Sequence, residues 1–504
     1  MTRGWSSRIL TLAVAGILFL TLYPFRFSIY SNSSSNPFLL AGWGKGGPLA
    51  TFLNILLFIP FGWGLAQKLR EEGQSRVKTL FLTAASGALF SYGIEFLQFY
   101  IPTRDSGWND ILTNGTGAAC GSLAFDLLDG RVLDALSGLE SGVERLLTMS
   151  RALWIVPIYF IAWLSLSAFL QKDSSLSNWV QDVQLVVGND ASGHVDRAWK
   201  GEVARLELWD HPVADAIARR ITSDETNGDT LKPLAIYAFA GSSPYPDQKA
   251  FLPELKWIPG APETQDPRDA VLGGSAWLGS QVAVNGLVRA LENANKFSLY
   301  VVCTPAEAEG SDGRVVSISD DRQVNLSLRQ RDKNLVFWFR NPVSMRRDQL
   351  SLTIPDTFDA HQMRRILVSY DGSNLSFYID GKRDSRRYEL TPGTPLAQLV
   401  RHIKTNELEG YSYIYYALVF VPAGVLLGIA SRRITLWTSS KVLFLLVALV
   451  LPSILLEALL IRVSGRAPSL GNVVLGAVFG VLGLLWINLD QAEPRRTWAN
   501  ALSK

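Results

Sequence analysis

Two runs at opposite ends of the chain share one pattern. Glu95-Phe96-Leu97-Gln98, Pro102-Thr103-Arg104 and Asn109-Asp110-Ile111-Leu112-Thr113-Asn114-Gly115 form the first. Glu457-Ala458-Leu459, Arg466-Ala467-Pro468 and Gly471-Asn472-Val473-Val474-Leu475-Gly476 form the second. Glu to Arg is nine residues in both, and Arg104 to Asp110 matches Arg466 to Asn472 at six. Each run sets a Glu in an apolar helix, follows it with a short basic loop, and continues into a Gly-rich apolar segment. A carboxylate inside a membrane span is costly, so its recurrence at fixed spacing marks a functional position. It also predicts a duplicated membrane unit with unlike sequence between the copies.

The 48% apolar composition of the 504 residues conceals a split. Apolar stretches of about twenty residues, long enough to cross a bilayer, lie in the first third and the last fifth. They predict eight spans, at 8–25, 49–68, 79–101, 109–128, 151–171, 411–430, 441–462 and 470–488. The fourth is the least apolar, because it contains Asp110, Thr113, Asn114 and Thr116, and its alignment with 470–488 keeps it in the count. The first reads as an uncleaved anchor, since Tyr23-Pro24-Phe25-Arg26 follows where small residues would mark a cleavage site.

Lys and Arg set the expected orientation. With the N-terminus cytoplasmic, the inner segments hold Arg3, Arg8, Lys68, Arg70, Arg76, Lys78, Arg131, Arg145, Arg432, Arg433, Lys441, Arg495, Arg496 and Lys504. The outer loops hold Arg26, Lys45, Arg104, Arg462 and Arg466. Both termini are then cytoplasmic and the long middle segment is extracytoplasmic. The net charge of +3 is largely this inner-loop bias and does not point to nucleic acid. Cys120 in a span and Cys303 in the middle segment cannot pair, so that segment must be stable through its core.

The repeat has the same hand in both halves, a parallel four-plus-four arrangement. Leu57-Phe58-Ile59-Pro60-Phe61-Gly62 parallels Val419-Phe420-Val421-Pro422-Ala423-Gly424. In the first half the first two helices are joined by a short loop; in the second half that loop has grown into a domain. The expected organisation is a four-helix unit over 1–148, a helix opening the second unit over 149–172, the inserted domain over 173–405, and three helices with a tail over 406–504.

From about Leu231 the helical period gives way to short alternating runs broken by Gly, Asp, Asn and Pro. Strands are expected at Leu234–Phe239, Phe297–Val302, Arg314–Ile318, Gln323–Leu328, Leu335–Phe339, Arg365–Ser369 and Leu375–Ile379. Asp371-Gly372 and Asp380-Gly381 are tight-turn signals bracketing one strand. This pattern argues a β-sandwich.

Phe297-Ser298-Leu299-Tyr300, Arg314-Val315-Val316-Ser317-Ile318-Ser319, Val368-Ser369-Tyr370-Asp371-Gly372 and Leu375 to Lys382 resemble the concanavalin A-like, laminin-G-type (LamG) jelly roll. Val186-Val187-Gly188-Asn189 and Ala198 to Asp210 look like that family's closing strands, yet they precede the opening strand at Leu234. The resemblance, over about 180–390, therefore implies a circularly permuted domain, which is tolerated because domain termini lie close together.

The helical halves resemble the VanZ-like family, named for a protein associated with teicoplanin resistance. The first copy carries its pattern of Glu95-x-x-Gln98, Arg104, Asp110 and Asn114-x-x-Gly117. The second keeps Glu457, Arg466 and Gly476 but has Leu460 for Gln and Asn472 for Asp. The resemblance implies a multi-pass protein of the bacterial cytoplasmic membrane and cell envelope, without supplying a reaction.

Gln98 lies three residues after Glu95, on the same helix face. Asp110 sits in the first turn of the next helix, where the dipole favours a carboxylate, and Asn114 is four residues on. Glu95, Gln98, Arg104, Asp110 and Asn114 are therefore expected to converge on one polar pocket. Two readings stand: a structural clamp between the helices, or a head-group site where Arg104 engages a phosphate or carboxylate. Glu457, Arg466 and Asn472 form the equivalent set, with one carboxylate fewer. No nucleophile or metal cluster accompanies Glu95, so no catalytic residue, metal or cofactor is assigned, and a binder is preferred to an enzyme. In the middle domain His194, His211, His361 and His402 show no metal spacing, and the Glu-x-Asp-x-x-Glu strand of a glycanase is missing. Trp199, Trp209 and Trp338 are either sugar platforms or core residues. The basic turns Arg346-Arg347, Lys382-Arg383 and Arg386-Arg387 are solvated loops by default. The expected function is a cell-envelope membrane protein whose β-domain binds a glycan or protein partner and whose helices hold a lipid or lipid-linked ligand. The alternatives are an enzyme acting on a lipid-linked envelope precursor and a scaffold for polysaccharide assembly or export.

Overall fold

The structure, a computed structural model, describes residues 5–23, 47–101, 107–146, 149–223, 232–259, 269–345, 351–399, 405–432 and 438–489. Arg104 and the turn Arg346-Arg347 lie outside the described residues.

Helices α1 (Trp5–Leu22), α2 (Pro48–Glu71), α3 (Arg76–Gln98), α4 (Trp108–Leu146) and α5 (Met149–Gln171) come first. A β-rich segment follows, containing four short helices: α6 (Asp215–Thr222), α7 (Asn285–Ala294), α8 (Pro342–Met345) and α9 (Gly393–Gln398). Then come α10 (Leu408–Ser431), α11 (Thr438–Ser464) and α12 (Leu470–Asn488). Among the described residues seven helices are long and apolar enough to cross a membrane: α1, α2, α3, α5, α10, α11 and α12. The helix that holds the fourth expected span, α4, is not one of them. It forms over the expected segment but continues to Leu146 instead of stopping near residue 128. The extension is amphipathic: Val132, Leu133, Leu136 and Val143 recur at helical spacing among Asp134, Glu140 and Glu144.

The chain divides into two compact units, one of Met1–Ile161, Ala417–Leu451 and Val474–Lys504, the other of Ala162–Tyr416 and Pro452–Val473. In the first unit α2 and α4 lie backbone to backbone. A Cβ on Gly62 would collide with the Ala118 carbonyl oxygen, and one on Gly121 with that of Ile59. The same unit repeats these contacts between α10 and α12. A Cβ on Gly424 would meet the Gly480 carbonyl oxygen, and one on Gly483 that of Val421. Every residue of the second set stands 362 positions after its counterpart in the first. The polar extension of α4 joins other parts of this unit: Glu140 pairs with Arg8 at 2.8 Å and with Arg432 at 2.9 Å. Trp486 donates to the Arg8 carbonyl at 2.9 Å.

The second unit is a β-sandwich together with helix ends. Its strands are β1 (Gln184–Val187), β2 (Lys200–Trp209), β3 (Ala235–Ala238), β4 (Leu255–Ile258), β5 (Ala270–Gly273), β6 (Trp277–Ser280), β7 (Phe297–Pro305) and β8 (Asp312–Ser319). They continue as β9 (Val324–Arg331), β10 (Asn334–Phe339), β11 (Leu352–Ile354), β12 (Arg364–Tyr370), β13 (Asn374–Ile379), β14 (Lys382–Arg383) and β15 (Tyr388–Glu389). One sheet runs β11-β10-β9-β8-β1-β6-β4 and the other β14-β13-β12-β7-β2-β3, with β15 on β13 and β5 on β2. Alternate residues turn inward, among them Leu206, Leu208, Leu299, Val301, Leu326, Leu328, Phe337 and Phe377, into one core. Each such side chain contributes about 1.5–3 kcal/mol when fully buried, which lets the sandwich stand without a disulfide. Asp380 and Gly381, both at positive φ, make the two-residue turn between β13 and β14. The early strands β1 and β2 take interior places, β1 between β8 and β6 and β2 between β7 and β3.

Glycine contacts give substitutions of opposite sign. Gly62→Val is expected to destabilise the helical unit by about 1–3 kcal/mol through overpacking against α4. Gly138→Ala, on a helix face with open space around it, is expected to stabilise by roughly 0.5–1 kcal/mol. Thermal unfolding of the detergent-solubilised protein reads both.

Candidate functional site

In the first unit Glu95, Gln98, Asp110 and Asn114 line one cavity of about 760 Å³. They converge because α3 and α4 are antiparallel neighbours joined by a short loop. The Glu95 side chain, 2% exposed, accepts a hydrogen bond from the Gly107 backbone N–H at 2.9 Å. Gln98 donates to the Thr21 carbonyl at 2.8 Å, tying α3 to the end of α1. Asn114 donates to Ser91 Oγ at 2.8 Å, tying α4 back to α3. Its Oδ1 is buried and has no hydrogen-bond partner among the described residues. Asp110 is half-buried and accepts from Asn54 Nδ2 at 2.7 Å. Asn54, on α2, is not singled out by the repeat pattern, although it is the one strongly polar side chain in the apolar run from Thr51 to Trp63. Leu20, Leu53, Leu56, Leu57 and Pro60 also line the cavity, and Leu53 and Leu56 are about half exposed.

The second set behaves differently. Glu457, Arg466 and Asn472 do come together, but no open cavity separates them. A side chain from the β-sandwich, Glu389 of β15, enters among them and is 2% exposed. Arg466 bridges Glu457 and Glu389, donating to Glu389 Oε1 at 2.8 Å. Asn472 Nδ2 donates to the same oxygen at 3.0 Å, and Arg387 pairs with the other at 2.6 Å. The Ser469 backbone N–H donates to Glu457 at 2.8 Å, across the same twelve residues that separate Gly107 from Glu95. Nothing local in the sequence announces Glu389, because its partners are distant along the chain.

Trp199 and Trp209 are fully buried, so they are core residues. Trp338 is half-buried on the outer face of β10 and lines a cleft of about 370 Å³ with Arg314, Arg322, Arg329, Arg331 and Arg340. Strand register explains the grouping: Arg314 stands opposite Arg329, Arg329 opposite Val336, and Ser327 opposite Trp338. Burial, and then the neighbouring Arg329 guanidinium, lower Arg314 to about 10, so it stays charged at neutral pH. Arg314 pairs with Asp190 and Arg329 with Asp312. Arg340 is bonded to neutral acceptors, the Val324 carbonyl at 3.2 Å and Gln323 Oε1 at 2.7 Å. The basic turns are paired internally: Arg383 with Asp215 at 3.3 Å, and Arg386 with Asp384 at 2.7 Å.

Residues 5–129 match the VanZ/LLP1 family. The match spans α1, α2, α3 and the first part of α4, and so includes every residue named on the wall of the cavity. No curated protein and no solved structure matches the chain. The family likeness and the apolar helices together suggest a multi-pass membrane protein associated with the cell envelope.

Removing one partner from a buried charge network leaves an uncompensated charge. Glu389→Ala is therefore expected to cost about 3–5 kcal/mol. Arg387→Ala, whose side chain is 43% exposed, is expected to cost less, because Arg466 and Asn472 still hold Glu389. Denaturant or thermal unfolding of the second unit within the full chain distinguishes the two.

Proposed function

We propose that the protein is a bacterial cell-envelope factor of the cytoplasmic membrane, made of two VanZ-like four-helix units. A circularly permuted LamG-type jelly roll interrupts the second unit. Both termini are cytoplasmic and the jelly roll is extracytoplasmic, as the Lys and Arg bias requires. The constant offset between Gly62, Gly121, Ile59 and Ala118 and their later counterparts supports the duplication. So does the backbone donor that meets each buried Glu after the same number of residues. The interior places of β1 and β2 support the permutation.

The first unit binds an amphiphilic ligand, a lipid or a lipid-linked saccharide. The observation that carries this is the cavity's mixed wall: polar groups of α3 and α4 share it with leucines of α2, of which Leu53 and Leu56 are about half exposed. A head group fits the polar groups and an acyl chain the leucines. Arg104, by its spacing from Glu95 and Asp110, supplies the charge for a phosphate. The matching polar cluster of the second four-helix unit is taken up by Glu389 in place of a ligand. The β-domain binds an acidic glycan in the Trp338 cleft. There the indole stacks on a sugar ring, and Arg340 offers a cation with no carboxylate in contact among the described residues.

Native mass spectrometry of the detergent-extracted protein tests the membrane site. A co-purifying lipid or lipid-linked saccharide is expected on the wild type and should be lost in Arg104→Ala and in Leu56→Trp, which adds bulk among the leucines. An empty wild type, with variants equally folded, would remove the lipid reading. For the β-domain, Trp338→Ala in the full protein is expected to weaken binding of an acidic polysaccharide about tenfold or more, with unchanged melting. Equal binding by both would assign the arginines to solvent.

A further inference from the structure

The two polar clusters have opposite hydrogen-bonding polarity. Beside Asn472 stands an acceptor, the Glu389 carboxylate, which takes hydrogen bonds from the Asn472 amide at 3.0 Å and from Arg466 at 2.8 Å. The corresponding position in the first cluster is Asp110, which is itself an acceptor. Asn54 donates to Asp110 Oδ1 at 2.7 Å, and Oδ2 has no partner among the described residues. Asn114 directs its amide at Ser91, which leaves Oδ1 buried and unpartnered among the described residues, in a side chain that is 4% exposed. Pro60, also on the wall, has no N–H to give the Leu56 carbonyl. Among the described residues on the wall, Gln98 donates to the Thr21 carbonyl and the Thr21 hydroxyl to the Ile17 carbonyl. A buried acceptor without a donor is costly, and a carboxylate beside Asp110 would be repelled.

We infer that the open cavity takes an amphiphile whose head group donates a hydrogen bond to Asp110 Oδ2. Primary ammonium groups and sugar hydroxyls both have this chemistry. The closed cluster accepts the reverse, which is why a carboxylate of the protein's own β-domain can fill it. The inference rests on reading the cavity as a lipid site.

Methylation of an ammonium gives the cleanest test, since phosphatidylcholine keeps the charge of phosphatidylethanolamine and lacks every N–H. The full-length protein, delipidated in mild detergent, is offered phosphatidylethanolamine, phosphatidylcholine and a monoglucosyl diacylglycerol, with bound lipid read by native mass spectrometry. Retention of phosphatidylethanolamine or the glucolipid about tenfold above phosphatidylcholine is expected, the worth of one hydrogen bond to a charged group. Which of the two is retained tells ammonium from hydroxyl. Asp110→Asn, with unchanged melting, should bring the ratio close to one. Should that variant melt early, Asp110→Ser takes its place, with the same expected ratio. Equal retention of all three lipids by the wild type would overturn the donor inference and leave the lipid site standing. Retention of none would overturn the lipid reading, and this inference with it.

Discussion

A carboxylate buried in an apolar helix must find its hydrogen bonds within the protein, and this constraint organises both ends of the chain. Glu95 and Glu457 are 2% and 5% exposed. Each is met by a backbone N–H twelve residues later, from Gly107 and from Ser469. To deliver that donor the chain must leave the helix, turn, and begin the next helix close by. The carboxylate therefore fixes the α3–α4 pair and the α11–α12 pair as hairpins. Backbone contact at Gly62, Gly121, Gly424 and Gly483 then draws a further helix against each pair's second member. A bilayer supplies no hydrophobic drive between helices, so such close packing carries the association.

Small changes on this common frame give different outcomes. Asp110 with Asn54 and Asn114 leaves a cavity of about 760 Å³ with acceptors on its wall. Asn472 turns the same position into a donor, and Glu389 fills the space. The second cluster then holds two carboxylates and two guanidiniums, Glu457, Glu389, Arg466 and Arg387, in mutual contact. Such a network is costly to break, since removing one partner leaves a buried charge without its opposite. It serves as a joint inside the second unit, whereas the first cluster lines an open cavity.

The sandwich contributes a separate chemistry. Its core takes Trp199 and Trp209, and its outer face collects arginines around Trp338. Like charges directly across strands are unfavourable, and Asp190 and Asp312 offset the Arg314–Arg329 pair. Arg340 has no such carboxylate in contact among the described residues.

Much of this architecture is legible in the amino-acid sequence. Apolar run length marks seven of the helices, and alternation marks β7, β8, β9, β10, β12 and β13 to within about three residues at each end, because helical and strand periods are local properties. Glu95, Gln98, Asp110 and Asn114 are legible as a group, since spacing along two adjoining helices determines which side chains can meet. The extension of α4 to Leu146 is not, because its charges look like a loop until Glu140 finds Arg8 and Arg432. Asn54 needs the packing of α2 on α4. Glu389 needs the fold most of all: a glutamate on a two-residue strand has no local signal, and only tertiary structure brings it to Arg466 and Asn472. The sequence by itself thus determined the apolar helices, the longer strands and the two repeated carboxylates, through short-range periodicity and the cost of burying charge. Which cluster is closed and which is open was decided by long-range packing, because that depends on a side chain contributed from another part of the chain.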